Sequence, residues 1–282
     1  MSSPRPADVD QATFWNEDGG RRWVEHIDQL ERMLEGMSRV LVEAVAAAPG
    51  ERVLDVGCGG GPTSAQYAAA VGETGHVLGI DISAVILEVA RRRFAEQRNL
   101  RFEVADAGTH AFAPGSFDVL TSRFGVMFFP DPPTAFTNLR RALRTGGRLC
   151  FMCWRSLDEN PWMGAAAAAA FTVIPPPPKP APGTPGPFSL GRRERVLDIL
   201  GAAGFADVTL EGVERDITLG DLDQAVDWLT RMGPAAAPLA EAPAAVRDDA
   251  IAAMRAELAR HQRNGAVTLP GATWLVRARV GG

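Results

Sequence analysis

The sequence lacks the features that would mark it for export, for a membrane or for nucleic acid. Its three cysteines, Cys58, Cys150 and Cys153, do not make a disulfide framework. The first ten residues, Met1 to Asp10, contain no apolar core of a signal peptide. The longest apolar run, Met163 to Ile174, falls short of the roughly 20 residues a membrane span needs. The net charge of -5 leaves no basic field to hold a phosphate backbone. These absences point to a cytoplasmic protein with no membrane and no nucleic-acid partner, acting on a small molecule. No internal repeat is present. A chain of 282 residues is long enough for one large domain or two small ones, with a proper core.

Two further absences concern metals and redox chemistry. Cys150 and Cys153 have the spacing of a redox or zinc pair, but they lie in the strand-like run Arg148 to Trp154. Residues three apart on a strand point to opposite faces, which reads as two buried strand cysteines. No second Cys/His pair completes a zinc shell, and no set of metal-binding carboxylates stands out, so no metal is expected.

What is present is organised around Arg52-Val53-Leu54-Asp55-Val56-Gly57-Cys58-Gly59-Gly60-Gly61-Pro62-Thr63. A short apolar run reads as a buried parallel strand. Glycines then allow a sharp turn and a close backbone approach to a ligand, and a helix resumes from about Thr63. A dinucleotide loop needs Gly-x-Gly-x-x-Gly, and both possible frames fail, at Pro62 and at Ser64. A phosphate-binding P-loop needs a lysine, and none stands here. Asp55, inside the strand end, would repel a pyrophosphate and suits a cationic ligand.

The rest of the chain alternates strand and helix. A second strand, His76 to Asp81, places Asp81 about 20 residues past the loop, where such folds set an acid on ribose hydroxyls. Ser83 caps a helix predicted over Ala84 to Arg98. A third strand, Leu100 to Ala105, ends in Asp106-Ala107, and a fourth, Phe117 to Ser122, follows. A helix over Thr134 to Arg144, with Gly146-Gly147 as its stop, leads to a fifth strand over Arg148 to Trp154. Glycines or acids thus stand at the carboxyl ends of the strands of a doubly wound α/β sheet, the edge where such sheets bind ligands.

These residues carry a resemblance. Residues from about 40 to 155 resemble the core of the class I S-adenosylmethionine (SAM)-dependent methyltransferases. They look closest to small-molecule enzymes such as the ubiquinone/menaquinone-biosynthesis C-methyltransferases. The resemblance implies a Rossmann-like seven-stranded sheet in the order 3-2-1-4-5-7-6, with helical lid insertions. It implies SAM as cofactor and S-adenosylhomocysteine as product. Asp55 and the backbone of Gly57, Gly59 and Gly61 would hold the methionine part. Asp81 would take the ribose hydroxyls, with Ile82 against the adenine. Asp106 and the Ala107 amide would read the adenine edge, and the Ser122 carbonyl would meet the methionine amine. The quinone enzymes carry Phe-Gly-apolar-Arg-Asn after the fourth strand. Here Phe124-Gly125-Val126-Met127-Phe128 replaces the polar pair, which implies a more apolar acceptor pocket.

The flanks supply the remaining expectations. Residues 1–12 read as unstructured and Phe14 to Val45 as one helix, with residues 1–36 as an N-terminal lid. Trp15, with Phe14 and Trp23, reads either as ordinary core or as a lid over the cofactor. Residues 37–156 form the cofactor core, and 157–190 form a proline-rich cap. Residues 191–282 complete the core, with a helical insertion over 221–263 and a final edge strand from Trp274 to Val280. Met127, Phe128, Trp154, Trp162 and Phe188 are acceptor-pocket candidates, with ordinary core as the competing reading. No catalytic residue is assigned, because the SAM methyl is already electrophilic and alignment carries much of the transfer. If a general base acts, the candidates are His26 and His110. Three other readings stay open: an NAD-dependent oxidoreductase, a SAM-binding regulator without turnover, and an RNA methyltransferase.

Overall fold

The computed structural model describes residues 10–181 and 183–281. The chain opens with α1 (Gln11–Asn16), α2 (Asp18–Glu25) and α3 (Ile27–Val45). The single helix expected over 14–45 is therefore broken twice, at Glu17 and His26. Asp10 starts α1 by accepting from the Thr13 amide, so Gln11 and Ala12 are helical rather than unstructured. Residues 1–9 lie outside the described residues. Gly20 packs directly on the turn before it. A Cβ there would lie 1.9 Å from the Trp15 carbonyl oxygen, so the fold-back of α2 on α1 requires glycine.

Alternation then sets in: β1 (Arg52–Val56), α4 (Pro62–Val71), β2 (His76–Asp81), α5 (Ala84–Arg93), β3 (Leu100–Val104), β4 (Phe117–Arg123), α6 (Pro132–Ala142) and β5 (Leu143–Trp154). Ser83 caps α5 by accepting from the Ile86 amide. Two expected boundaries move. The helix predicted to Arg98 stops at Arg93, because successive turns at Phe94 and Gln97 bend the chain into β3. The helix predicted to Arg144 stops at Ala142, and Leu143 is already extended. Gly146-Gly147 is therefore no helix stop. It shapes the start of β5, where Gly146 has φ +74° and a Cβ on Gly147 would sit 3.2 Å from the Asp118 carbonyl of β4.

Beyond β5 come α7 (Pro161–Ala170), α8 (Arg193–Ala202), β6 (Ala206–Gly220), α9 (Leu222–Met232), α10 (Ala236–Glu241), α11 (Ala244–Ala259), β7 (Gln262–Arg263) and β8 (Ala266–Arg279). Asp221 caps α9 in a reciprocal box with Gln224. The sheet runs β3-β2-β1-β4-β5-β8-β6. The first five strands are parallel, and β8 runs antiparallel to both β5 and β6. The seven-strand order matches the expected one, and the two-residue β7 adds an eighth strand against β8. One expectation is corrected. The last strand begins at Ala266 and is interior, and β6 forms the edge beside it.

The interior strands are apolar on both faces because helices cover both faces. Val53, Leu54, Ile80, Val119, Leu120, Phe151, Met152 and Cys153 have no exposure, or almost none. The three cysteines are free and buried, Cys150 and Cys153 in β5 and Cys58 in the turn after β1. Trp154, the last residue of β5, meets Trp162 of α7, and Trp162 meets Trp228 of α9, with ring centroids 5.1 and 5.7 Å apart. The insertions therefore pack together above the carboxyl end of β5. The proline-rich segment returns at Gly186 and Ser189, which donate to the Met127 carbonyl at 3.1 and 2.5 Å. Among the described residues, no helix is long and apolar enough to cross a membrane.

Candidate functional site

The parallel strands end at one edge, and the segments that carry the sequence signals meet there. The turn after β1 is left-handed at three glycines: φ is +65° at Gly57, +55° at Gly59 and +84° at Gly61. Gly57 is also sterically fixed, since a Cβ would lie 2.7 Å from the Gly125 Cα. The amides of Gly57 and Cys58 both donate to the Ile80 carbonyl, at 2.8 and 3.0 Å, which ties the turn to β2. The Gly59 amide donates to Asp81 Oδ2 at 2.9 Å. Asp81 Oδ1 accepts from the Ser83 amide, also at 2.9 Å. Burial pushes the Asp81 carboxyl up, and these amide bonds pull it back. The Ile82 amide also bears on this carboxylate, which keeps acceptor capacity beyond these amides.

Asp55 sits beneath the loop with almost no exposure. Its Oδ2 accepts from Thr63 Oγ1 at 2.9 Å and Ser64 Oγ at 2.6 Å, which joins the strand end to the first turn of α4. Burial pushes its carboxyl up to about 6, opposed by those two hydroxyls and by the nearby charge of Arg123. Ser122 turns its hydroxyl to the next loop, where it accepts from the amides of Gly125 and Val126. Asp106 closes its own turn by accepting from the Gly108 amide at 2.8 Å and the Thr109 hydroxyl at 3.1 Å. Ala107 is buried beside it, and its carbonyl accepts from Asn138.

The N-terminal helices lie over this edge. Asn16 donates to the Ile82 carbonyl at 2.9 Å and accepts from the Ala84 amide at 2.8 Å. Ser83 Oγ donates to the Trp15 carbonyl. Trp15 meets Trp23 and Phe128 edge-on, at 5.8 and 5.2 Å. A cleft remains between this cover and the loop, lined by Trp23, Ile27, Leu30, Glu31 and Leu34 on one side. Gly57, Cys58, Gly59, Gly60, Arg123 and Phe124 line the other.

The sequence candidates divide accordingly. Gly57 and Gly59 line the cleft, Asp55 and Asp81 support it, and Trp15 and Ile82 belong to its docked cover. Gly61 faces away, toward the ring of Phe102. Met127, Trp154 and Trp162 are buried in the core, whereas Phe128 and Phe188 are half-buried. Neither histidine lines the cleft. His26 is at the junction of α2 and α3, and His110 lies against Phe112 and 3.7 Å from Glu103. Among the described residues, no cluster of His, Cys, Asp and Glu could hold a metal.

Sequence reasoning missed Arg123 and Phe124. Phe124 has φ +66°, a left-handed value rare outside glycine, and its ring stacks flat on Trp154 at 4.3 Å. No local signal marks such a backbone state. Arg123 follows Ser122 directly, and an arginine at a strand end reads as a solvated charge.

Comparison with known proteins agrees with this geometry. Residues 53–147 match a family described as "Methyltransferase domain". Aklanonic acid methyltransferase DauC of a Streptomyces species is 40% identical over 117 residues, covering 41% of this chain and 53% of that protein. A 2-phytyl-1,4-naphtoquinone methyltransferase of Synechococcus elongatus is 36% identical over 129 residues, covering 44% and 55%. The chain thus spans about half the length of these curated relatives. Among solved structures, the YcgJ protein of Bacillus subtilis superposes with a TM-score of 0.59 at 18% identity, over 88% of this chain and 99% of that one. Haemonchus contortus phosphoethanolamine N-methyltransferase 2, solved with S-adenosyl-L-methionine, gives 0.59 at 17% identity, over 97% and 60%. Residues 53–147 thus match a methyltransferase domain, and they are set in a Rossmann-like fold shared with solved methyltransferases.

Proposed function

We propose that this protein is a SAM-dependent methyltransferase acting on a largely apolar, aromatic small molecule. The observation that carries the cofactor reading is Asp81. It stands at the end of β2, is hydrogen-bonded to the middle of the glycine loop, and keeps acceptor capacity for ribose hydroxyls. The residues present fit the group. Gly57 and Gly59 bring backbone against the cleft, and Asp55 supplies negative charge under a ligand that carries a sulfonium and an ammonium. In this reading Ile82 and Trp15 cover the adenosine, Asp106 and the Ala107 amide read the adenine edge, and the Ser122 carbonyl meets the amine.

SAM, when bound, supplies a methyl group already activated on sulfur. The work left to the protein is to align the acceptor and exclude water, contributions of up to roughly 7–11 kcal/mol in favourable cases. The broken N-terminal helices are placed to exclude water, since Asn16 and Ser83 fasten them beside Asp81. Phe128 and Trp15, with Phe124 on Trp154 behind them, give the acceptor side an aromatic lining. With neither histidine in the cleft, a general base is not part of this proposal.

Calorimetric titration with SAM and, separately, with NAD tests the cofactor. Micromolar SAM binding with no NAD binding is expected, and the reverse would replace this reading with the oxidoreductase one. Aromatic acceptors are then screened for release of S-adenosylhomocysteine. SAM binding without turnover on any acceptor would favour a regulator.

A further inference from the structure

Arg123 is the last residue of β4, and its side chain lines the cleft opposite Trp23. Its Nη1 donates to Ser38 Oγ at 2.5 Å. Ser38 is itself buried in α3 and donates to the Leu34 carbonyl at 2.8 Å, so the guanidinium is held from behind. The two carboxylates whose charges reach it are Asp55 and Glu31. Both have partners of their own. Asp55 is bonded to Thr63 and Ser64, and Glu31 pairs with Arg93 at 2.7 Å.

A guanidinium has five N–H donors in a flat fork. Here one goes to Ser38, and no other acceptor is engaged among the described residues. Arg123 is half-buried in the cleft wall, and a partly desolvated guanidinium with most of its donors free gains from an anion that completes it. The group that fits a guanidinium fork is a carboxylate bound through both oxygens.

We infer that Arg123 seats the carboxylate at the amino-acid end of the cofactor. This rests on the SAM reading above. SAM carries one carboxylate beside two cationic centres. Among the described residues the cleft lining carries one cation, Arg123, and one carboxylate, Glu31, with the Asp55 carboxylate beneath the loop, so the site offers one positive group for the ligand's carboxylate and two negative groups for its two cationic centres. Arg123 thereby acts as a positioning residue: it sets the depth of the methionine arm and with it the placement of the methyl group.

The test compares two ligands by calorimetry. SAM contains the carboxylate, whereas 5′-methylthioadenosine keeps the adenosine and sulfur and lacks the amino-acid end. Arg123→Gln is expected to weaken SAM by roughly 10- to 100-fold, the range for losing a charge-assisted bond, and methylthioadenosine by less than about 2-fold. Arg123→Lys should fall between, because the charge remains and the fork is lost. Equal weakening of both ligands would assign Arg123 a purely structural role and overturn the inference, as would unchanged SAM affinity. If Arg123→Gln does not fold, Arg123→Lys carries the comparison, and an affinity ratio equal to that of the wild type overturns it. Wild-type protein that binds neither ligand overturns the cofactor reading itself, a result distinct from a failure of Arg123 alone.

Discussion

The Asp81 carboxylate accepts from the Gly59 amide at 2.9 Å, so the last side chain of β2 holds the middle of the loop that follows β1. One residue thus has two tasks. It pins the loop in its left-handed conformation, and in the SAM reading it also accepts from the ribose hydroxyls. Asp81→Asn keeps one acceptor for Gly59, whereas Asp81→Ala keeps none. SAM affinity is expected to fall in both, by roughly 10- to 100-fold in the alanine variant. Titration calorimetry reads this directly, and undiminished affinity in Asp81→Ala would remove Asp81 from the site.

Two glycines with positive φ differ in crowding. Gly57 and Gly72 have φ of +65° and +66°, but only Gly57 has a neighbour, the Gly125 Cα at 2.7 Å from a Cβ. Gly72 combines φ +66° with ψ -168°, a region nearly confined to glycine, so Gly72→Ala is expected to cost about 1–3 kcal/mol from backbone strain alone. Gly57→Ala adds an overpacking cost of roughly 1–3 kcal/mol and should also abolish cofactor binding. Urea unfolding of the two variants gives the difference, and equal midpoints would contradict the close approach of Gly125 to Gly57.

Asp55 gives the protein a predictable pH dependence. Its carboxyl is raised from 3.8 to about 6 by burial, so the folded chain binds that proton more tightly than the unfolded chain does. This group's contribution is therefore fully present below about pH 4 and is lost as pH rises through about 6. Asp55→Asn keeps an acceptor for Thr63 and Ser64. It should raise the unfolding free energy at pH 8, by roughly 3 kcal/mol at most, and flatten the profile between about pH 4 and 6. The same variant should bind SAM more weakly at pH 8. Unfolding curves at pH 4.5 and 8 that keep the wild-type slope would show that Asp55 is not the titrating group.

Asn16 is one of the side chains that fasten the N-terminal cover. Asn16 makes two hydrogen bonds to the segment after β2, and their loss in Asn16→Ala is expected to weaken docking by about 1–3 kcal/mol. Limited proteolysis would then cut near residues 17–26 faster in the variant, and added SAM should protect the wild type more than the variant. Identical digestion of the two proteins would show that the cover is held by the Trp15 contacts instead.

Much of this molecule was readable one residue at a time. Periodicity and end signals located the strands from Arg52 to Trp154 to within a few residues, and the helix cap at Ser83. The glycines, Asp55 and Asp81 were legible because each answers a local demand, a left-handed turn or a charge at a strand end. What was missed depends on contacts distant in sequence. The helix over 14–45 breaks because Gly20 must fit against Trp15 and because Asn16 finds partners 66 and 68 residues away. Gly146-Gly147 resembled a helix stop, but pairing of β5 with β4 and β8 extended the chain there instead. Arg123 became a cleft residue only when α3 brought Ser38 to it from 85 positions earlier. Phe124 holds its left-handed backbone beneath the stack with Trp154. By itself the sequence determined the sheet, the loop and the acids at the strand ends, because local pattern and backbone sterics dictate them. Only the tertiary structure decided which charge and which rings face the cleft, because those follow from packing between segments far apart in the chain.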